Sequence, residues 1–491
     1  MIHRILICLI LTIPLIISQV VYSEPLSLQT YIQGALAHHP SAYLDELTRI
    51  QKLQELGAND SIKDWNLFAQ TTYQKGLSST GFASFSDSGK MSQTGIGLNK
   101  VIAQTGTRFR INASQLTIQD PVSFSDTFEI PNYYDSHIQL QFVQPLLKNM
   151  WGQLDRYPLK MKELQSQLAT LKYRSDLDAY VKDRTDDYLT WVYHHKEREL
   201  LSAQFQKAND QVLILERQVK RGVRDLTDLV LAKQNAISKK MVLDRATVAY
   251  HTTEHQIAVF YWGQFNPKNT LEPHLESPLE SPNRAIWPYV HTQSVLAESM
   301  ALLEDIQLLT VSTTRHQQLP DLDLALSHTR KSLSNTASSL YDDEFENKET
   351  LISLQMTYPI GNRYAKSRHN TAVTEQKKMQ QTHKETWLTV HAIINDLENH
   401  AKLAQQQASD IAELLKLSKK SAELEHEKYT QGRRNSLSFV LDAEDRVLAT
   451  QIQQLHNTIT QKRLYNQQHA LLNTYSHYYG RIMLKWKEQK K

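Results

Sequence analysis

Two stretches decide the fold: Ile138-Gln139-Leu140-Gln141-Phe142-Val143-Gln144-Pro145 and Ile352-Ser353-Leu354-Gln355-Met356-Thr357-Tyr358-Pro359. Both largely alternate apolar and polar residues with period two, the spacing of a strand whose faces meet different environments. The polar partners are mostly uncharged. That suits a barrel wall with lipid on one side and water on the other, although a half-buried soluble sheet would alternate in the same way. Both stretches end at a proline, which fixes φ and cannot donate to a ladder. Pro145 and Pro359 therefore predict the turns from strand into helix. Trp65 to Tyr73 and Leu322 to Ser327 alternate less cleanly and predict a partner strand in each half.

Beyond each proline the pattern changes. Leu159 to Arg221 holds neither proline nor glycine over 63 residues, and Asn362 to Gln431 holds neither over 70. Gly222 and Gly432 interrupt, and Val223 to Trp262 and Arg433 to Tyr479 are again free of both. Such runs of good helix formers predict rods of roughly 95–105 Å at 1.5 Å per residue, longer than a globular core is wide. They must pack on one another. Leu164, Leu168 and Leu171 step by four and three. Val390, Ile394, Leu397, Ala401, Ala404, Ala408, Ile411 and Leu415 keep those steps throughout, a narrow coiled-coil stripe.

The order repeats: helix, strand pair, proline, very long helix, glycine, second helix, aromatic-Gly end. Pro145 and Pro359 lie 214 apart, Gly222 and Gly432 lie 210 apart, and Trp262-Gly263 and Tyr479-Gly480 lie 217 apart. This near-constant offset predicts an internal duplication, far longer than solenoid periods. The expected organisation is a signal peptide over 1–23, a first repeat over 24–263, a Pro-rich linker over 264–287, a second repeat over 288–480 and a charged tail over 481–491. The first repeat carries an insertion over 77–131. Within it, Ile96 to Ile102, Gln104-Thr105-Gly106-Thr107 and Arg108 to Ala113 predict a hairpin turning at Gly106. Its counterpart, Arg330 to Glu349, reads as a short polar loop.

Arg4, the apolar run Ile5 to Ile17 and Val21-Tyr22-Ser23 predict an export signal with a mature chain from about Glu24. The only cysteine is Cys8, in that run, so the mature chain has no thiol for a disulfide, metal site or nucleophile. After residue 23 no apolar run approaches the ~18 residues of a spanning helix, and mean hydropathy is -0.49. A chain of this kind crosses a membrane only by closed β-strands. Net charge is +3 with both signs dispersed, which offers nothing to nucleic acid. No metalloprotease, phosphate-loop or nucleophile-elbow motif occurs, and no cofactor is expected. The histidine pairs His38-His39 and His194-His195 point about 100° apart on a helix and read as solvated or packing residues rather than a metal site.

The arrangement resembles the TolC-type outer-membrane efflux proteins over the whole mature chain. Ala35-Leu36 followed by His39-Pro40 matches the family's opening, with His in place of its Asn. Gln144-Pro145-Leu146-Leu147 and Tyr358-Pro359-Ile360-Gly361-Asn362-Arg363 match its strand ends. Gly222 with Asp228-Leu229, and Tyr429 with Gly432 and Arg434, match its two tips. The resemblance implies a non-enzymatic channel. Three copies would each give four strands, and more if the extra hairpin joins, to a twelve-stranded barrel in outer-membrane lipid. Their helices would build a periplasmic tunnel, serving an adaptor protein and an inner-membrane pump in tripartite efflux or type I secretion. It also implies a gate: the aspartate of one tip meets the tyrosine and arginine of the other and shuts the pore. Asp228, Tyr429 and Arg434 occupy those positions, and Asp442 is a candidate for a ring of acids further along. Apart from the resemblance, a soluble exported coiled-coil scaffold or adhesin stays open.

Overall fold

The computed structural model describes residues 25–59, 61, 64–76, 90–119, 123–125, 128–129, 132–262, 271–274, 279–334, 347–433 and 436–480. The export signal, Gly263, Pro121, Pro131, Arg434 and the charged tail lie outside them. Among the described residues the longer α-helices are α1 (Leu28–His38), α2 (Pro40–Asn59), α3 (Gln153–Lys220), α4 (Leu226–Trp262), α5 (Ile286–Gln293), α6 (Val295–His316), α7 (Arg363–Thr430) and α8 (Ser438–Leu471). The strands are β1 (Asn66–Lys75), β2 (Lys90–Ile102), β3 (Thr107–Gln119), β4 (Ser123–Ser125), β5 (Phe128–Glu129), β6 (Tyr133–Pro145), β7 (Asp321–Ser334) and β8 (Asn347–Thr357).

Contacts divide the chain into two compact units, and each sequence half contributes segments to both. In the first unit, Tyr180–Pro282 and Asn399–Gln467 form paired helices with α1 beside them. Its packing follows the heptad pattern: Ala208, Val212 and Leu215 of α3 meet Leu229, Ala232 and Ala236 of α4 and Val440 of α8. Ala404 and Ile411 of α7 are buried, while Ala401, Ala408 and Leu415 are half-buried. Asn457 adds a donor to the Ala404 carbonyl at 3.0 Å.

In the second unit, Ile394 and Leu397 carry the stripe on, and Ile394 packs with Ile286, Val290 and Leu472. Its sheet is antiparallel, in the order β1-β2-β3-β6-β7-β8. It has six strands, the larger of the expected counts, because the hairpin at Gly106 inserts between β1 and β6. Register separates the faces. Leu67, Leu98, Ile111 and Leu140 lie in one row, and Phe142, Leu326 and Ile352 in another, on a single apolar face. The opposite face carries Asn99, Arg110 and Gln141 in one row and Asn112, Gln139 and Thr329 in another. The apolar face is largely uncovered: Leu67, Ile96, Ile138, Leu140, Phe142, Leu324, Ile352, Leu354 and Met356 are all exposed.

Three boundaries differ from expectation. The loop opposite the insertion is shorter, since β7 runs to Ser334 and β8 begins at Asn347. There both faces are polar apart from Leu333, so the stretch gives little apolar signal. Helix α3 begins six residues before Leu159 and carries Pro158 inside it. Helix α8 ends at Leu471 rather than running to Tyr479, because Asn473 takes a left-handed φ of 53° before helix resumes over 474–480. Asparagine tolerates that region better than most side chains.

Candidate gate at the helix reversals

In the first unit, α3 returns as α4 and α7 returns as α8. Each reversal is set by its glycine. Gly222 and Gly432 adopt φ of 70° and 71°, a region that costs other residues a steric penalty. The amides of Val223 and Arg433 then reach back to the carbonyls of Gln218 and Lys428, at 3.0 and 2.9 Å, and satisfy the helix ends. Asp225 caps the start of α4, accepting from the amide and hydroxyl of Thr227 at 2.9 and 3.1 Å. Those donors, the Thr227 amide first, hold its carboxyl below the usual range.

Asp228 stands in the first turn of α4, 5% exposed. Its Oδ2 accepts from the Tyr429 hydroxyl at 2.9 Å, and its Oδ1 from the Leu437 amide at 3.3 Å. One carboxylate therefore ties the start of α4 to the end of α7 and to the turn before α8. Its place at a helix N-terminus favours negative charge. Tyr429, Leu437 and Val440 are buried in the same apolar cluster, which keeps water from competing for these bonds. Burial, then the Asp228 carboxylate, push the Tyr429 phenol up to about 12.

Arg224 completes the cluster. Its guanidinium lies 4.1 Å from the Tyr429 ring centroid and its Nη2 donates to the Tyr429 carbonyl at 2.9 Å. Sequence reasoning missed it. Arg224 lies in the short turn between two helices, where no periodicity indicates the direction of a side chain. The only clue was a cation two residues after the glycine.

Of the four expected gate residues, the structure brings together Asp228 and Tyr429. Arg434 lies outside the described residues. Asp442 is exposed on α8 and is not part of the Asp228 network. Pro145 is the last residue of β6, paired with Asp323, and Pro359 lies two residues past β8. The histidine pairs are held by neighbours: His38 bonds the Tyr261 carbonyl at 2.9 Å, His39 lies 4.5 Å from the Phe260 ring, and His194 meets Glu197 at 3.4 Å. Among the described residues no three His, Cys, Asp or Glu side chains are grouped to hold a metal, and no helix is long and apolar enough to cross a membrane.

No family model matches this chain, and no curated protein matches it in sequence. Solved structures do match in fold. The outer-membrane protein VceC of Vibrio cholerae is 15% identical, with 90% of this chain and 95% of that one covered at a TM-score of 0.64. The MtrE outer-membrane channel of Neisseria gonorrhoeae, crystallised in its open state, is 12% identical over 91% of this chain and 88% of that one, at 0.67. CusC, described for its folding and transmembrane channel formation, is 11% identical over 91% of each chain, at 0.66. The chain has the fold of the outer-membrane efflux channels.

Proposed function

We propose that this protein is the outer-membrane subunit of a tripartite efflux or type I secretion system, a passive duct from periplasm to exterior. Three copies close their sheets into a barrel in outer-membrane lipid and their helices into a periplasmic tunnel. An adaptor protein and an inner-membrane pump deliver the cargo. The observation that carries this reading is the sheet with one apolar, largely uncovered face and one mostly polar face. A sheet of that kind in water would leave its apolar rows exposed, whereas lipid on one side and a water-filled lumen on the other satisfy both. The same observation speaks against a soluble scaffold or adhesin.

The two helix reversals form the periplasmic end and hold it shut. Asp228 and Tyr429 fasten one helix pair to the other within each copy, Arg224 braces the tyrosine, and Arg434 supplies a further cation at that end. Outward movement of α7 and α8 breaks the Tyr429–Asp228 bond and opens the duct. Asp442, exposed beyond the reversal, adds acid to the entrance and favours cations.

Fractionation with mass measurement tests the assignment. The protein should sediment with the outer membrane, require detergent and run as three copies of the mature chain, each the 56.7-kDa chain less its export signal. A detergent-independent monomer would overturn it.

A further inference from the structure

The inserted hairpin β2–β3 raises a question of pore size. We infer that it belongs to the barrel wall, so that three copies close eighteen strands rather than twelve. This rests on the channel reading and adds the width of the exit.

Three observations carry it. First, the hairpin is continuous with the sheet on both sides: β1 pairs with β2 from Asn66–Asn99 to Lys75–Lys90, and β3 pairs with β6 from Arg108–Val143 to Ile118–Tyr133. Its strands are 13 residues each, as β6 is. Second, over the rows nearest their turn the inserted strands largely share the faces of the rest. Ile96, Leu98, Phe109, Ile111 and Ala113 join the apolar face, with Lys100 the exception, while Asn99, Arg108, Arg110, Asn112 and Ser114 join the polar one; toward the far ends the pattern lapses, and Met91, Leu116 and Ile118 stand on the polar side. A hairpin lying free in the lumen or in the periplasm has no need of a lipid-facing row in register with its neighbours.

Third, the chain builds a seat for the hairpin's turn. Gln144 donates to the Thr105 carbonyl at 3.0 Å and accepts from the Thr107 hydroxyl at 2.6 Å. Gly152, at φ 63°, lies against the turn so closely that a Cβ there would stand 1.9 Å from the Ala103 carbonyl oxygen. This seat, Leu146 to Gly152, has no equivalent in the second half, where Pro359 is followed by α7 after only three residues.

Strand parity permits closure. Six is even, so β8 of one copy meets β1 of the next antiparallel, which a barrel wall requires. At a strand spacing of about 4.8 Å and a tilt near 40°, twelve strands give a backbone diameter of about 24 Å and eighteen give about 36 Å. The cross-section thus roughly doubles, which makes the hairpin a determinant of the largest cargo that the outer half of the duct admits.

Electron microscopy of the full-length protein purified in detergent measures this directly. A three-copy barrel about 36 Å across is expected. A three-copy barrel of about 24 Å overturns the inference while leaving the channel reading intact, and so does a two-copy barrel of twelve strands. A protein without any barrel overturns both. The cysteine-free mature chain allows a second measurement. Thr71 and Thr94 face each other across β1 and β2, their hydroxyls 3.1 Å apart. The T71C/T94C variant should form an intrachain disulfide and lose both thiols to labelling in the assembled trimer. Two reactive thiols there would show that β1 and β2 do not pair in the wall.

Discussion

Replacing Tyr429 by Phe removes one oxygen from the centre of the proposed gate and leaves the ring in place. The hydroxyl donates to a carboxylate that is 5% exposed, and a hydrogen bond to a buried charged acceptor contributes about 1.5–3 kcal/mol. Arg224 retains its aromatic partner and its bond to the main-chain carbonyl, so the reversal at Gly432 should persist. If opening breaks this bond, each copy shifts toward open by about 10- to 150-fold. Three symmetric copies acting together multiply that effect. In planar bilayers, Tyr429→Phe trimers should spend at least about tenfold more time in the high-conductance state. Cells carrying them should become sensitive to large antibiotics. Asp228→Asn keeps an acceptor but loses the charge and should fall between parent and Tyr429→Phe. Normal trimers that conduct like the parent would refute the reasoning, and these bonds would then be structural ties alone.

Further outcomes follow from neighbouring contacts. Arg224→Ala should also favour opening, by about 1–3 kcal/mol per copy, and less than additively with Tyr429→Phe because both act through one ring, as a double-mutant cycle of open probability would read out. Raised above its unfolded value of 10.0, the Tyr429 phenol contributes fully below about pH 10 and loses its contribution as pH rises to about 12. Conductance titrated upward should therefore show no opening from this group below pH 10. Replacing Pro145 and Pro359 together by Ala should lower trimer yield more than replacing Pro121 and Pro131. Equal yields would misplace the strand-to-helix turns. Asn473→Ala removes a donor to the buried Asp178 (2.9 Å), an acceptor for the Val295 amide (2.9 Å) and a residue suited to positive φ. It should cost about 2–4 kcal/mol in chemical unfolding.

Most of the architecture was legible because long proline-free and glycine-free runs leave few alternatives to helix. Gly222 and Gly432 marked both reversals, and the alternation before Pro145 and Pro359 marked two strands. The hairpin was readable as a hairpin, from Gly106 between two alternating runs. Its membership of the sheet was not, since which strand lies beside which is a long-range fact. The end of α8 was hidden because Asn473, rather than glycine or proline, takes the left-handed position. At the gate, the Asp228–Tyr429 pairing came from a resemblance. Nothing in the residues alone links positions 201 apart, and Arg224 depends on how a short turn aims its side chain.

The most direct test of the whole account is insertion of the purified protein into a planar bilayer. An outer-membrane duct of this fold should give discrete, ohmic conductance steps, one for each trimer inserted. A protein that stays in solution without detergent and yields no steps at any concentration would contradict the membrane barrel and the channel together.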